Sequence, residues 1–132
     1  MVALPRLNQF RAFDVRGASD EVVSMIRYAR KLAIARQTPV FVNVDVAAGQ
    51  VCLNFAASAV CEGALNPVPG PSGNTYIVPS RPLGLALATA TPSFSFNTSG
   101  APSTGAVILN ISGGGMTRVL TVAAETGYVS VQ

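Results

Sequence analysis

The chain has 132 residues, of which 49% are hydrophobic and 11% charged, with a mean hydropathy of +0.42. That length suits one folded domain with its own core, and that composition excludes a disordered chain. The formal charge is +3 and histidine is absent. This excludes histidine triads, cysteine–histidine dyads, histidine zinc ligands and histidine-based pH switches.

Charge is unevenly spread. Residues 1–36 hold seven basic residues against three acidic ones, whereas residues 37–132 hold two against three, a net of −1. A basic leader joins a nearly neutral, apolar body, so the pI near 9.3 does not describe a uniformly basic surface. No run reaches the roughly 18–20 apolar residues that cross a bilayer, and no complete secretory signal is present. Met1-Val2-Ala3-Leu4-Pro5 reads either as a soluble start or as the stub of a longer apolar helix.

The spacing predicts a helix over 19–37. Val22, Met25, Ile26, Ala29, Leu32 and Ala33 recur at intervals of three and four and form the stripe expected to pack on a sheet. Arg27, Arg30, Lys31 and Gln37 fall largely off that stripe. Ser19 is placed to cap the start, with Asp20 and Glu21 in the first turn, and Pro39 marks the stop. Residues 5–16 extend the pattern upstream, but Gly17 argues for a break or bend. Residues 1–18 therefore read as a stub and lead-in, and 19–132 as one globular domain with its sheet region over 39–132.

After Pro39 the period changes to two. Residues 40–46 and 50–55 read as a hairpin turning at Gly49, and the breakers of 62–74 mark a loop within a variable segment 56–74. Residues 75–78, 83–90 and 93–97 read as short strands. Residues 106–112, 116–123 and 128–131, separated by glycine turns, read as an antiparallel meander. The expected class is α+β, with one N-terminal amphipathic helix packed against an antiparallel β-sheet meander.

Cys52 and Cys61 stand nine positions apart. A disulfide there closes a short loop, worth roughly 2.5–3 kcal/mol on the entropy model, and suits an oxidising compartment. The alternative is two buried thiols. Neither a redox CxxC nor a zinc site is present. Gly113-Gly114-Gly115 lacks the continuation of a phosphate loop and leads into a strand. The six carboxylates are scattered, and Lys31 on a solvent face does not suit a Ser–Lys dyad. The sequence thus reads as an assembly or binding module, with no catalytic residue, metal or cofactor site. The basic helix face could attract phosphates, but Tyr28 alone makes no stacking platform.

Ala3-Leu4-Pro5 followed by Leu7-Asn8-Gln9-Phe10, the run Ala29-Arg30-Lys31-Leu32-Ala33-Ile34-Ala35-Arg36, and Pro39-Val40 at the entry to the first strand carry a resemblance. So do Phe94–Gly100, Arg118–Val122 and Thr126-Gly127-Tyr128-Val129. The chain resembles the GspH/FimT family of minor pseudopilins and minor type IV pilins. The resemblance implies a noncatalytic subunit at or near the tip of a secretion pseudopilus or pilus. Its partners would be other pseudopilins or pilins. It also implies a missing N-terminal helix that anchors the precursor in the bacterial inner membrane. The globular domain would then be periplasmic or carried on an extracellular filament. Arg27, Arg30, Lys31 and Arg36 become candidates for subunit contacts or, in the alternative of a DNA-binding minor pilin of a natural-transformation system, for DNA contacts. DNA-binding members are associated with C-terminal arginines; Tyr128-Val129-Ser130-Val131-Gln132 contains none, which favours the structural role.

Overall fold

Helix α1 runs without interruption over Ala3–Arg36, about 51 Å at the standard rise per residue. The computed structural model describes residues 3–58, 60–61, 66–70, 76–78, 86–113 and 115–132, with α1 side chains from Val15 onward. The helix passes straight through Gly17, correcting the expected break. A glycine costs a helix only about 1 kcal/mol relative to alanine, and Val15, Ala18 and Val22 beside it are buried. Ser19 is consequently no cap. The helix has already run from Ala3 to this point, so its hydroxyl donates back to the Arg16 carbonyl at 3.0 Å.

The helix stops one residue before the expected Gln37. Gln37 adopts φ 51°, the left-handed conformation of a helix C-terminus. The Thr38 N–H reaches back to the Ala33 carbonyl at 3.3 Å, closing a Schellman turn. The Gln37 side-chain amide donates to the Ile34 carbonyl at 2.7 Å, and Pro39 prevents continuation.

Among the described residues eight strands follow: β1 Val40–Asp45, β2 Gln50–Asn54, β3 Ile77–Val78, β4 Ala86–Ala88, β5 Ser93–Phe96, β6 Val107–Gly113, β7 Met116–Val122 and β8 Val129–Val131. They form two antiparallel sheets, β3-β2-β1-β5 and β4-β6-β7-β8. The expected meander is the β6–β7–β8 part of the second sheet. Residues 89–92 carry the chain from one sheet to the other, so the expected strands 83–90 and 93–97 belong to different sheets. Residues 75 and 83–85 lie outside the described residues, as does most of the predicted loop 62–74. Within that loop, residues 66–68 follow the β2 edge: the Phe55 N–H donates to Asn66 at 2.8 Å and the Val68 N–H to Leu53 at 3.1 Å.

One apolar core joins the helix to both sheets. Val22, Met25, Ile26, Ala29 and Ala33 are buried and Leu32 is half-buried against it. They meet Val40, Val42, Leu53 and Phe96 from the first sheet and Leu109, Ile111, Leu120 and Val122 from the second. Each fully buried aliphatic side chain contributes about 1.5–3 kcal/mol relative to exposure. The second sheet shows plain alternation on β6, where Val107, Leu109 and Ile111 face the core between outward Ile108 and Asn110.

The first sheet does not alternate. Every β2 residue is buried, including Gln50 and Asn54, and so are Asn43 and Asp45 on β1. Segment 55–61 accounts for part of this cover. Asn43 is its hub: its amide donates to Asn54 Oδ1 at 2.9 Å and the Ala56 carbonyl at 3.1 Å. Its own oxygen accepts from Ser93 Oγ at 2.6 Å and the Ser58 N–H at 3.2 Å. Asp45 accepts from the Ala48 N–H at 3.0 Å in the hairpin turn and from the Cys61 N–H at 3.3 Å. Cys52 and Cys61 are joined as a disulfide, with Cα atoms 5.7 Å apart.

Candidate functional site

Helix α1 presents its basic residues to the end of the second sheet where β7 turns into β8. Residues 27, 30 and 31 lie on adjacent rows of one helix face, since residues three and four apart are surface neighbours. Arg27 and Lys31 are exposed, whereas Arg30 is half-buried. The Arg30 Nε donates to the Thr126 carbonyl at 2.8 Å and the Gly100 carbonyl at 3.1 Å. One side chain on the helix thereby holds two turns, one after β5 and one before β8.

The turns are shaped to receive it. Gly100 and Gly127 have φ 93° and 74°, a region that penalises any residue with a Cβ. Space excludes a side chain as well. A Cβ at Gly127 would collide with the Gly100 carbonyl, and one at Gly100 would approach Ile34 at 2.8 Å. Tyr128 then places its ring against the guanidinium, 4.8 Å from Arg30 Cζ to the ring centroid, although the tyrosine itself remains 66% exposed.

Arg27, Arg30, Lys31, Gly127, Tyr128 and Val129 line a groove of about 320 Å³ along this junction. No ion pair engages the three cations, so their charge faces the groove unneutralised among the described residues. Arg36 stands apart: its guanidinium lies 5.6 Å over the Phe55 ring, beside the segment that covers the first sheet. Of the four basic residues singled out from the sequence, three converge and the fourth does not.

Tyr28 is not a free aromatic platform. Its hydroxyl donates to the Pro69 carbonyl at 3.2 Å and its ring packs against Tyr76, centroids 5.6 Å apart. Tyr76 ionises above its ordinary value of 10.0, first because burial disfavours the phenolate and then because Glu21 and Tyr28 lie nearby. Phe94 and Phe96 are core residues in an edge-to-face pair, centroids 5.6 Å apart. No group of acidic or cysteine side chains among the described residues is arranged to hold a metal. The partnership of Arg30 with Gly100, Thr126 and Tyr128 spans separations that local spacing does not reveal; the only sequence signal is a glycine in each turn.

No curated protein sequence matches the chain. Solved structures of a minor pilin and a minor pseudopilin share its fold. The type IV minor pilin FimU of Pseudomonas aeruginosa superposes with a TM-score of 0.64 at 15% identity, covering 89% of this chain and 91% of that one. The minor pseudopilin EpsH of the Type 2 Secretion System of Vibrio cholerae gives 0.64 at 14% identity, covering 90% and 96%. No described helix is long and apolar enough to cross a membrane. The family model of the type II transport protein GspH matches residues 18–127, from the middle of α1 through the turn that Arg30 clamps, and the chain belongs to that family of minor pseudopilins.

Proposed function

We propose that the chain is a noncatalytic minor pseudopilin or minor type IV pilin subunit, assembling with other such subunits at or near a filament tip. The observation that carries this reading is the long helix α1, buried by one stripe against both sheets while its basic flank forms no ion pair among the described residues. A helix so embedded transmits its position to the whole sheet layer, and loops at the sheet ends can vary without disturbing the core. The full-length precursor would be held in the inner membrane by an apolar N-terminal helix, with the α+β body in the periplasm. The disulfide Cys52–Cys61 suits that oxidising compartment.

DNA capture is the weaker reading. Residues 37–132 carry a net charge of −1, and residues 128–132 hold no basic side chain.

Deletion of the gene in its host, with complementation by the full-length precursor, tests the assignment. The expected result is loss of secretion or of piliation, together with cross-linking of the complementing protein to other filament subunits. Intact secretion and intact pili in the deletion strain, with no cross-link, overturn it.

A further inference from the structure

The groove beside α1 runs along strand β8, beyond which no further strand pairs among the described residues. Strand β8 is the last strand of its sheet, and its hydrogen bonds to β7 alternate. Val119 and Gln132 exchange both bonds, at 2.9 and 3.3 Å, and the Ala123 N–H donates to Tyr128 at 2.8 Å. In an antiparallel ladder the residues between such pairs turn their N–H and C=O groups the other way. Val129 and Val131, opposite Val122 and Leu120, therefore aim their main-chain groups off the sheet edge. Above that edge stand Arg27 and Lys31, without carboxylate partners among the described residues, and Arg30, whose Nε is committed to two carbonyls while its terminal nitrogens form no hydrogen bond among those residues.

We infer that this groove binds an acidic, extended segment of a partner protein, which adds as a strand to β8 and places its carboxylates against Arg27 and Lys31. Two observations select this occupant. The edge offers donors and acceptors in alternation, which a peptide backbone satisfies and a phosphate backbone, having only acceptors, does not. The charges match in spacing as well. Arg27 and Lys31 stand one helical turn apart, about 6 Å, and side chains at i and i+2 of a strand stand about 6.6 Å apart. Glu125, the carboxylate nearest to β8 in sequence, lies exposed in the β7–β8 turn and forms no ion pair with these cations. Binding at this groove does not depend on assembly into a filament.

The test is fluorescence anisotropy of the purified chain with a short, end-capped, labelled peptide alternating Glu and Val, at about 50 mM salt where screening is modest. A Gln/Val peptide and a duplex oligonucleotide serve as competitors. The expected result is saturable binding that falls about tenfold or more in the R27Q/K31Q double variant and for the Gln/Val peptide, as loss of charge-assisted bonds requires. Val131→Pro removes an outward N–H that β7 does not use and should weaken binding comparably. Slowed hydrogen exchange at the Val129 and Val131 amides of the unmodified chain reads the same contact without any variant. Equal binding of the two peptides, unchanged exchange at those amides on saturation, or tighter binding of the duplex at equal salt each overturns the inference.

Discussion

The Arg30 guanidinium lies 4.8 Å from the centre of the Tyr128 ring while its Nε holds the Thr126 and Gly100 carbonyls. Two loops from different sheets thus share one donor, and the tyrosine lies over the face of the fork that makes the bonds. Lysine at this position keeps the charge but has neither the planar fork nor the Nε geometry. Arg30→Lys should cost about 1–2 kcal/mol, the range of hydrogen bonds to a charged group less the effect of partial exposure. Urea unfolding measures this, and loss of amide protection at Gly100 and Gly127 locates it. An unchanged midpoint with unchanged protection would mean that the clamp contributes nothing.

Asn43 governs the other sheet. It is fully buried and uses both amide donors and its oxygen, binding β2, segment 55–58 and Ser93 together. Asn43→Asp is nearly isosteric but replaces two donors by an acceptor facing Asn54 Oδ1 and a carbonyl. The expected loss exceeds about 3 kcal/mol, because the new carboxylate is buried without a partner cation. The loss should shrink at low pH, where the carboxyl regains a proton and one donor. Thermal unfolding across the acidic range distinguishes this from a packing defect, which would not respond to pH in that way.

The sequence was most legible where one face of an element meets water. The stripe from Val22 to Ala33 and the alternation of β6 both follow the hydrophobic pattern. It was least legible where both faces are covered. Asn43, Asp45, Gln50 and Asn54 look like the solvent side of a hairpin, yet all are buried; Asn43, Asp45 and Asn54 are met there by Ser58, Cys61 and Asn43, each more than ten positions away. Ser19 misled for a different reason: a serine ahead of an apolar stripe has the chemistry of a cap, but a helix that begins earlier leaves it no free N–H. For the groove, the basic run Arg27–Lys31 was visible, while the contribution of β8 depended on how two turns, 70 and 96 residues downstream of Arg30, fold back to the helix.

Reduction of Cys52–Cys61 should act locally before it acts globally. The bridge secures the end of segment 55–61, while Asp45 and Asn43 hold the same segment by hydrogen bonds to the Cys61 and Ser58 N–H groups. The expected global loss is about 2–3 kcal/mol, chiefly through release of the unfolded chain. Under native conditions the reduced protein should retain far-ultraviolet dichroism and lose amide protection mainly over segment 55–61. Simultaneous loss of protection in β6 and β7 would show that the bridge supports the whole core.

Tyr76 supplies an alkaline limit. Burial raises its ionisation above 10.0, with Glu21 and Tyr28 adding to the effect, so the folded protein keeps the phenol proton after the unfolded chain releases it. The unfolded state then binds fewer protons, and stability falls as pH rises. The contribution is complete below 10.0 and is lost as pH climbs from there through the folded value. Tyr76→Phe should flatten this decline while leaving stability near neutrality little changed, since the ring contact with Tyr28 survives the substitution. Glu21→Gln should move the Tyr76 titration down only slightly, because burial is the larger cause. Phenolate absorbance of the folded chain, compared with urea-unfolded chain over the alkaline range, reads the shift directly. An identical alkaline slope in Y76F would show that the Tyr76 phenol does not set the alkaline limit.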